Sequence, residues 1–544
     1  AGVILFDEKT DYVCYGKIVG VTHEYGVLIS HSTYAPDIVA VNFSRHSIDK
    51  ILKEPRAGVL IRIFQFLDVR SRLKASLVCK TWFQIMDHPQ MLCDVKVQFS
   101  GEVDEAIKRF SRMTRKFQWF SFVRVIIRAP VVDFLKNYSK QFVILSFHEC
   151  TEIYGKSESE VQDKILHCDN LRILDVSNSD IAFSFSPLLN LTELKLCFFS
   201  GLSDYIVSQF SKSLSKLEKL SLGDSVVYEE EVCKNIYATE EEIETNPSQT
   251  YLSFLCIKML IEKNRATLRN INFTNLRLTS EDILTISKIE DLKLTHILFP
   301  EKLNSIHVER FCENQTSLVA VDFTTSVHVE DNTVYAVIKC LQNLQELVLF
   351  NKRKIDKCII EILQLENLVK LDLYCCSNIS QLSYQEALLN LKTFKLKSLN
   401  LASANISDDN LFKLLKCNKN IRYLNVSDTC ISNKTLNMIC NNLILLECLI
   451  LSSCREISDS GLTGEFENYS DSLTPTPLSN LKYLTQLNLS KSSLITNEGC
   501  IKAIRFPKLE KLLLNKCRRL ILCREFKKEL KTQNPYLHNF NPSY

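Results

Sequence analysis

Glycine and proline are scarce, at 12 residues each in 544. That is about 4% of the chain where average usage gives roughly 12%, which excludes collagen-like and linker-dominated designs. Tryptophan and methionine are rarer still, at 2 and 5. No run approaches the ~18 uninterrupted apolar residues of a spanning helix, and nothing near the start reads as a secretion signal. No excess of one charge exists either: 66 Lys+Arg face 63 Asp+Glu, for a net charge of +3. The electrostatic footprint of broad nucleic-acid or membrane-surface binding is therefore missing. Charged residues at 24% with 46% hydrophobic residues argue for a folded chain rather than general disorder. The length alone suggests three or four ordinary domains.

Cysteine is plentiful, at 21 residues, but without Cys-x-x-Cys spacing, and only Cys375 and Cys376 are adjacent. Paired zinc-ligand spacing is thus absent, and an odd count fits poorly with a complete disulfide framework. A reducing compartment, cytosol or nucleus, is the expectation.

What is present is a repeat. The pattern apolar-x-x-apolar-x-apolar starts at Leu171, Leu191, Leu217, Leu344, Leu368, Leu396, Ile421, Leu446, Leu484 and Leu509. Weaker copies begin at Leu92, Phe120, Phe142, Leu268, Ile289 and Leu318. Successive starts from Leu318 to Leu446 fall 26, 24, 28, 25 and 25 residues apart, the period of a leucine-rich repeat. Leu371 and Leu373 lie two apart and face one side of a strand, whereas Asp372 faces the other. The second half of each unit has helical periodicity, as in Asn433–Asn442, where Leu436, Ile439 and Cys440 share a face. One unit cannot bury its own apolar side, but stacked neighbours can.

Two long steps interrupt the period. The 51 residues from Leu217 to Leu268 amount to about two periods with one copy degenerate or replaced, and they include Glu229–Glu244, with seven Glu and one Lys. Thr239 and Glu242 have capping-box spacing, which predicts a short acidic helix before Asn246-Pro247. The 38-residue step before Leu484 contains Glu467–Asn480, whose Ser/Thr/Pro content predicts a protruding loop.

Ahead of the repeats, Val59, Leu60, Ile63, Phe64 and Leu67 follow one helical face. Asp68 to Ser71 reads as a polar break, Leu73 and Leu77 mark a second helix, and Val78, Trp82, Ile85 and Met86 a third. A segment this short normally needs a partner over its exposed apolar side. Leu60-Ile61-x-Ile63-Phe64-x-x-Leu67, Leu73, Leu77-Val78-Cys79-Lys80-x-Trp82 and His88-Pro89 together resemble an F-box. The resemblance implies adaptor contact through Leu60, Ile61, Ile63, Phe64, Leu67, Leu73, Leu77, Val78 and Trp82. It departs from the family at Glu54-Pro55-Arg56-Ala57-Gly58 and at Cys93, departures that lower the expected adaptor affinity without removing the main contact face. Cys448–Leu462 resembles the cysteine-containing leucine-rich repeat of F-box proteins. Cys150, Cys376, Cys454 and Cys517 share its place, three residues after the last apolar strand residue, and read as small buried side chains in a turn.

The expected fold is α/β: a leucine-rich-repeat solenoid, a curved horseshoe with parallel strands on its concave face, preceded by a small all-α F-box. Residues 1–53 stay unassigned; Lys17–Ser30 reads as two strands around a Gly-containing turn and resembles the opening hairpin of an S1-type RNA-binding barrel, with too little after it to complete one. The F-box takes 54–91, the solenoid 92–526 with insertions near 223–262 and 463–480, and 527–544 form a tail. By this resemblance the protein is a substrate receptor of an SCF ubiquitin ligase, not an enzyme. It binds a Skp-type adaptor, and through it a cullin, and presents a protein substrate on the repeats. Phe350, Tyr374, Tyr423, Lys370, Asp372 and Asn425 are the candidate substrate-binding residues, with Phe198, Asn400 and Asn488 beside them. No cofactor, metal, membrane or nucleic acid is expected. A basic terminal cluster, Lys516, Arg518, Arg519, Arg524, Lys527, Lys528 and Lys531, suits either a solvated cap or an acidic or phosphorylated substrate. A scaffold that binds partners without supporting ubiquitin transfer is the alternative. An enzyme is disfavoured by the lack of a phosphate loop or metal cluster and by ten scattered histidines.

Overall fold

The computed structural model describes residues 57–67, 69–113, 115–152, 165–180, 184–185, 188–198, 202–223, 227–228, 240–389, 395–465 and 474–540, together with the backbone of 3–6, 13–22, 26–31 and 38–40. Those four N-terminal stretches are strands of an antiparallel sheet in sequential order, so the two expected strands belong to a four-stranded meander. The chain divides into two compact units, residues 1–201 with 212–214, and residues 202–211 with 215–544.

In the first unit four helices follow the sheet: α1 (Ala57–Gln65), α2 (Val69–Ser76), α3 (Lys80–Met86) and α4 (Pro89–Leu92). The expected polar break at 68–71 is a correction: α2 already begins at Val69, and Leu77 lies in the turn after it. Parallel strands come next, among them Lys96–Ser100, Trp119–Val123, Ile144–His148, Ile173–Asp175 and Glu193–Lys195. Phenylalanine replaces leucine in the earlier repeats. Phe99 stacks on Phe122, and Phe122 on Phe147, each at 5.2 Å between ring centroids. This substitution misplaced two weak repeat copies. The motif expected at Phe120 begins at Phe117, because Phe120 and Phe122 are the buried strand residues, and the one expected at Leu92 is shifted so that Val97 and Phe99 pair with them.

The second unit repeats the same layout from Lys219–Ser221 to Asn539–Phe540, all parallel and in register. Helices back the strands, including Asn433–Asn442, where the expected periodicity holds and Ser432 caps the first turn. The copy expected at Ile289 instead begins at Leu294, since the strand is His296–Leu298 with Ile297 and Phe299 buried. Lys219–Ser221 pairs directly with Asn270–Asn272, so the long step there contributes no strand to this sheet. It supplies a short acidic helix, Glu240–Thr245, and the helix Phe254–Lys263. Residues 229–239, including Thr239 of the expected cap, lie outside the described residues, as do 466–473 of the second insertion. That insertion's returning end is stitched to Asn437, whose side chain accepts from Thr476 N and donates to Thr474 O. The expected tail at 527–544 is also corrected. Arg524–Gln533 is a helix and Asn539–Phe540 pairs with the previous strand, with Leu530 and Leu537 buried as in other repeats.

Three polar devices recur. In seven repeats the third strand residue is Asp or Asn and its Oδ1 accepts the N–H two residues on: Asp175, Asn272, Asp322, Asp372, Asn400, Asn425 and Asn488. This is an Asx turn. The chain then passes through a left-handed residue in most of them, among them Asn178, Asn275, Cys375, Ser403, Asp428 and Lys491. The cysteines supply the third device. Cys150, Cys376, Cys454 and Cys517 donate to the carbonyls of Phe122, Leu349, Val426 and Leu489 in the preceding repeat, at 3.3, 2.8, 3.3 and 3.2 Å. Desolvation pushes the Cys376 thiol up to about 11 and that of Cys454 to about 12.

Candidate functional site

The α1–α4 segment closes a small core of Phe64, Ala75, Trp82, Ile85, Met86 and Met91, with Leu60, Ile61, Ile63, Leu67 and Cys79 packed at its border. Phe64 and Trp82 meet edge to face at 4.7 Å. The helix ends are fixed locally: Cys79 Sγ accepts from Trp82 N, and His88 Nδ1 from Gln90 N ahead of Pro89. Arg72, itself buried, donates to Met91 O at 2.8 Å and pairs with Asp94. The segment is thereby tied to the chain that enters the first repeat, a tie extended by Arg115, which pairs with Asp87 and lies over the Phe83 ring.

The expected contact residues therefore split. Phe64, 2% exposed, and Trp82 are interior, and the border residues are half-buried. A side chain that fills its own domain's core offers little area to a partner. Leu73 and Leu77 are 60% and 81% exposed, and Val78 is exposed beside them. With Val69 they form an i, i+4, i+8 apolar stripe along α2 and the turn after it. Phe66 and Phe83 are also exposed apolar side chains of this segment. Phe66, Val69 and Phe83 were missed in the sequence because they fall off the helical faces that define the core. Their apolar character next to a completed core was the available signal.

Residues 58–92 match a family model described as F-box-like. The chain carries an F-box-like domain in front of leucine-rich repeats. Among solved structures, the crystal structure of the Rad7–Elc1 complex from yeast matches at 16% identity, covering 65% of this chain and 77% of that one, with a TM-score of 0.42. An internalin from Listeria monocytogenes matches at 15% identity over 65% and 88% of the two chains, with a TM-score of 0.35. Behind the F-box, the repeats present an open strand face with its own order.

On that face of the second unit, side chains lie in rows set by the register. Glu346, Lys370, Ser398, Tyr423 and Cys448 occupy the first strand position, and Val348, Asp372, Asn400, Asn425 and Ile450 the third. Phe350 and Tyr374 follow their strands rather than lying in them and stack at 4.9 Å. Leu349, Leu373 and Leu424 beside the three aromatics are buried, as the alternation predicts. Tyr423 holds the first strand position, whereas Phe350 and Tyr374 lie four positions on, past the strand ends. The three rings are thus two features and not one cluster. Lys370 pairs with Glu346 at 3.3 Å, and Asn400 donates to the second oxygen of Asp372 at 2.9 Å. Asp372 and Asn425 hold the turns described above, so their capacity for an outside ligand is reduced. Burial raises the Asp322 carboxyl, and a hydrogen bond with Cys375 together with its charge raises the Tyr374 hydroxyl. Phe198, in the first unit, is exposed in a left-handed conformation.

Proposed function

We propose that this protein is the substrate-recognition subunit of an SCF-type ubiquitin ligase. Its F-box binds a Skp-type adaptor and, through it, a cullin; the open face of the repeats takes the protein to be ubiquitinated; the chain itself catalyses nothing. The observation that carries this reading is the apolar stripe of Val69, Leu73 and Leu77 standing on a domain whose core is already closed by Phe64 and Trp82. Exposed apolar surface on a small helical domain marks an interaction site. The Phe350–Tyr374 stack, and Lys370 and Tyr423 in the first-position row of the same face, supply the aromatic and charged groups typical of recognition hot spots. Free thiols along the described chain suit the cytosol or nucleus. Among the described residues no helix is long and apolar enough to cross a membrane. Co-purification of the intact chain with a Skp-type adaptor and a cullin tests the reading. Failure to bind the adaptor would leave a repeat scaffold acting outside ubiquitin transfer.

A further inference from the structure

The second insertion leaves the solenoid at Gly464, and the chain is back against it by Thr476; the two ends meet in a tight neck. Gly464 ends the helix Asp459–Thr463 in a left-handed conformation, φ 76°. A Cβ there would lie 2.9 Å from the carbonyl carbon of Thr476 and 3.0 Å from Pro477 N. Only glycine meets both demands. Across the neck stands Asn437, itself fully buried, which accepts from Thr476 N at 2.8 Å and donates to Thr474 O at 3.1 Å. Just after it, Asn480 donates to Cys440 O at 2.8 Å.

The returning strand of this neck reads Thr474-Pro475-Thr476-Pro477, two Thr-Pro pairs with opposite exposure. Thr474 and Pro475 are exposed. Thr476 is 8% exposed, and its hydroxyl donates inward to Thr474 O at 3.0 Å. The Thr474 hydroxyl has a lighter tie, accepting from Asn441 Nδ2 at 3.4 Å. Pro477 is extended, with φ −71° and ψ 157°, and a residue ahead of proline is itself biased to extended backbone. An exposed hydroxyl on an extended chain, followed at once by proline, is the form of substrate that a proline-directed Ser/Thr kinase takes.

We infer that Thr474 is a phosphorylation site and that its phosphate opens the neck. In the step, Thr474 Oγ attacks the γ-phosphorus of ATP and the bond from that phosphorus to the β,γ-bridging oxygen breaks. ADP leaves, and the hydroxyl proton passes to the carboxylate base of the kinase. The product carries about −1.5 to −2 charge. It stands beside Asn441, in the last turn of the helix Asn433–Asn442, whose carbonyl end carries about −0.5. A phosphate at a helix C-terminus is repelled, and it is far larger than the hydroxyl it replaces. The two Asn437 bonds give way with it, because they hold the backbone of Thr474 and of its neighbour but one. Modification is also ordered: the Thr476 oxygen faces inward and is not reached while the neck is closed. The site stands on the insertion alone and is independent of the receptor reading.

The test uses the intact chain with Mg-ATP and a purified proline-directed kinase. Phosphosites are mapped by mass spectrometry, and the Thr476 N–H is followed by hydrogen exchange. Phosphate is expected on Thr474, with Thr476 modified at least tenfold more slowly. Thr474→Val should remove most of the incorporation in this segment. Exchange at Thr476 should speed at least tenfold on phosphorylation. Asn437→Ala should reproduce that gain without phosphate and bring Thr476 modification to within threefold of Thr474. Absence of phosphate on Thr474, or modification of Thr476 as fast as Thr474 in the unaltered chain, would overturn the site. Unchanged Thr476 exchange in the chain phosphorylated on Thr474 would overturn the opening of the neck, whether or not Asn437→Ala folds.

Discussion

Truncating Leu73 and Leu77 together separates contact from fold at the F-box. Leu77 is 81% exposed and Leu73 60%, so each contributes little to its own domain and much to whatever covers it. Fully burying a leucine side chain is worth roughly 1.5–3 kcal/mol. Scaled by the exposed fractions and summed, the pair offers about 2–4 kcal/mol to a partner, or roughly 30- to 1000-fold in Kd. Leu73→Ala/Leu77→Ala should weaken a purified Skp-type adaptor by that factor in titration calorimetry, with thermal unfolding shifted only slightly, since exposed changes usually cost under ~0.5 kcal/mol each. Phe64→Ala is the contrasting variant. It removes a core ring in contact with Trp82 and should cost about 3–5 kcal/mol of local stability, losing the adaptor by unfolding the domain. If the double variant binds within threefold of the original, or loses helical signal as Phe64→Ala does, the stripe is not the contact surface.

Lys352, a residue 3% exposed, occupies the position held by cysteine in four other repeats, and its ammonium donates to Thr324 O at 3.3 Å. Burial pushes its pKa down from 10.5 to about 8. Unfolding therefore takes up a proton between these values, and native stability rises with pH across that window. Lys352→Cys should raise the melting temperature at pH 7, with the gain shrinking as pH approaches 10; a pH-independent difference would refute the assignment. Asn425→Ala removes the acceptor for Ser427 N and Oγ and should cost about 1 kcal/mol in denaturant unfolding, as loss of a cap does, without selectively abolishing partner capture. Phe350→Ala/Tyr374→Ala should abolish cross-linking to the principal substrate while adaptor binding is kept, at a stability cost near the ~0.5–1.5 kcal/mol of a stacked pair. Retained cross-linking would move recognition elsewhere on the repeats.

The repeat was legible because leucine at fixed spacing has one structural meaning wherever the period is kept. It blurred where phenylalanine took leucine's place, as at Phe117, Phe120 and Phe122, because an aromatic residue satisfies several registers of the same pattern. The last repeat was missed for a related reason. Its helix carries so many cations that the solenoid was ended at Phe526, the first of its two buried residues, and Leu530, the second, fell in what read as a tail. In the F-box, helical spacing identified the apolar residues correctly but could not sort inward from outward. Phe64 and Leu77 look equally apolar in sequence, and only the packing of α1 against α3 and α4 separates them.

The same ambiguity governs the open face of the repeats, where sequence alternation marks Asp372 and Asn425 as outward and hence available. Outward is not the same as unoccupied. Each spends an oxygen on the N–H two residues ahead, because the chain must leave the strand through a left-handed residue and needs a partner for that donor inside the turn. Asp and Asn are thus set at this position by the turn in the seven repeats that carry it, whatever the face binds. Residues without such a task are the better guide to recognition. In the second unit these are the first-position side chains Lys370 and Tyr423 and the stacked pair after the strands, Phe350 and Tyr374. They vary from repeat to repeat, whereas the Asx position recurs. A surface that distinguishes one partner from another must be built from the positions the fold leaves free to differ.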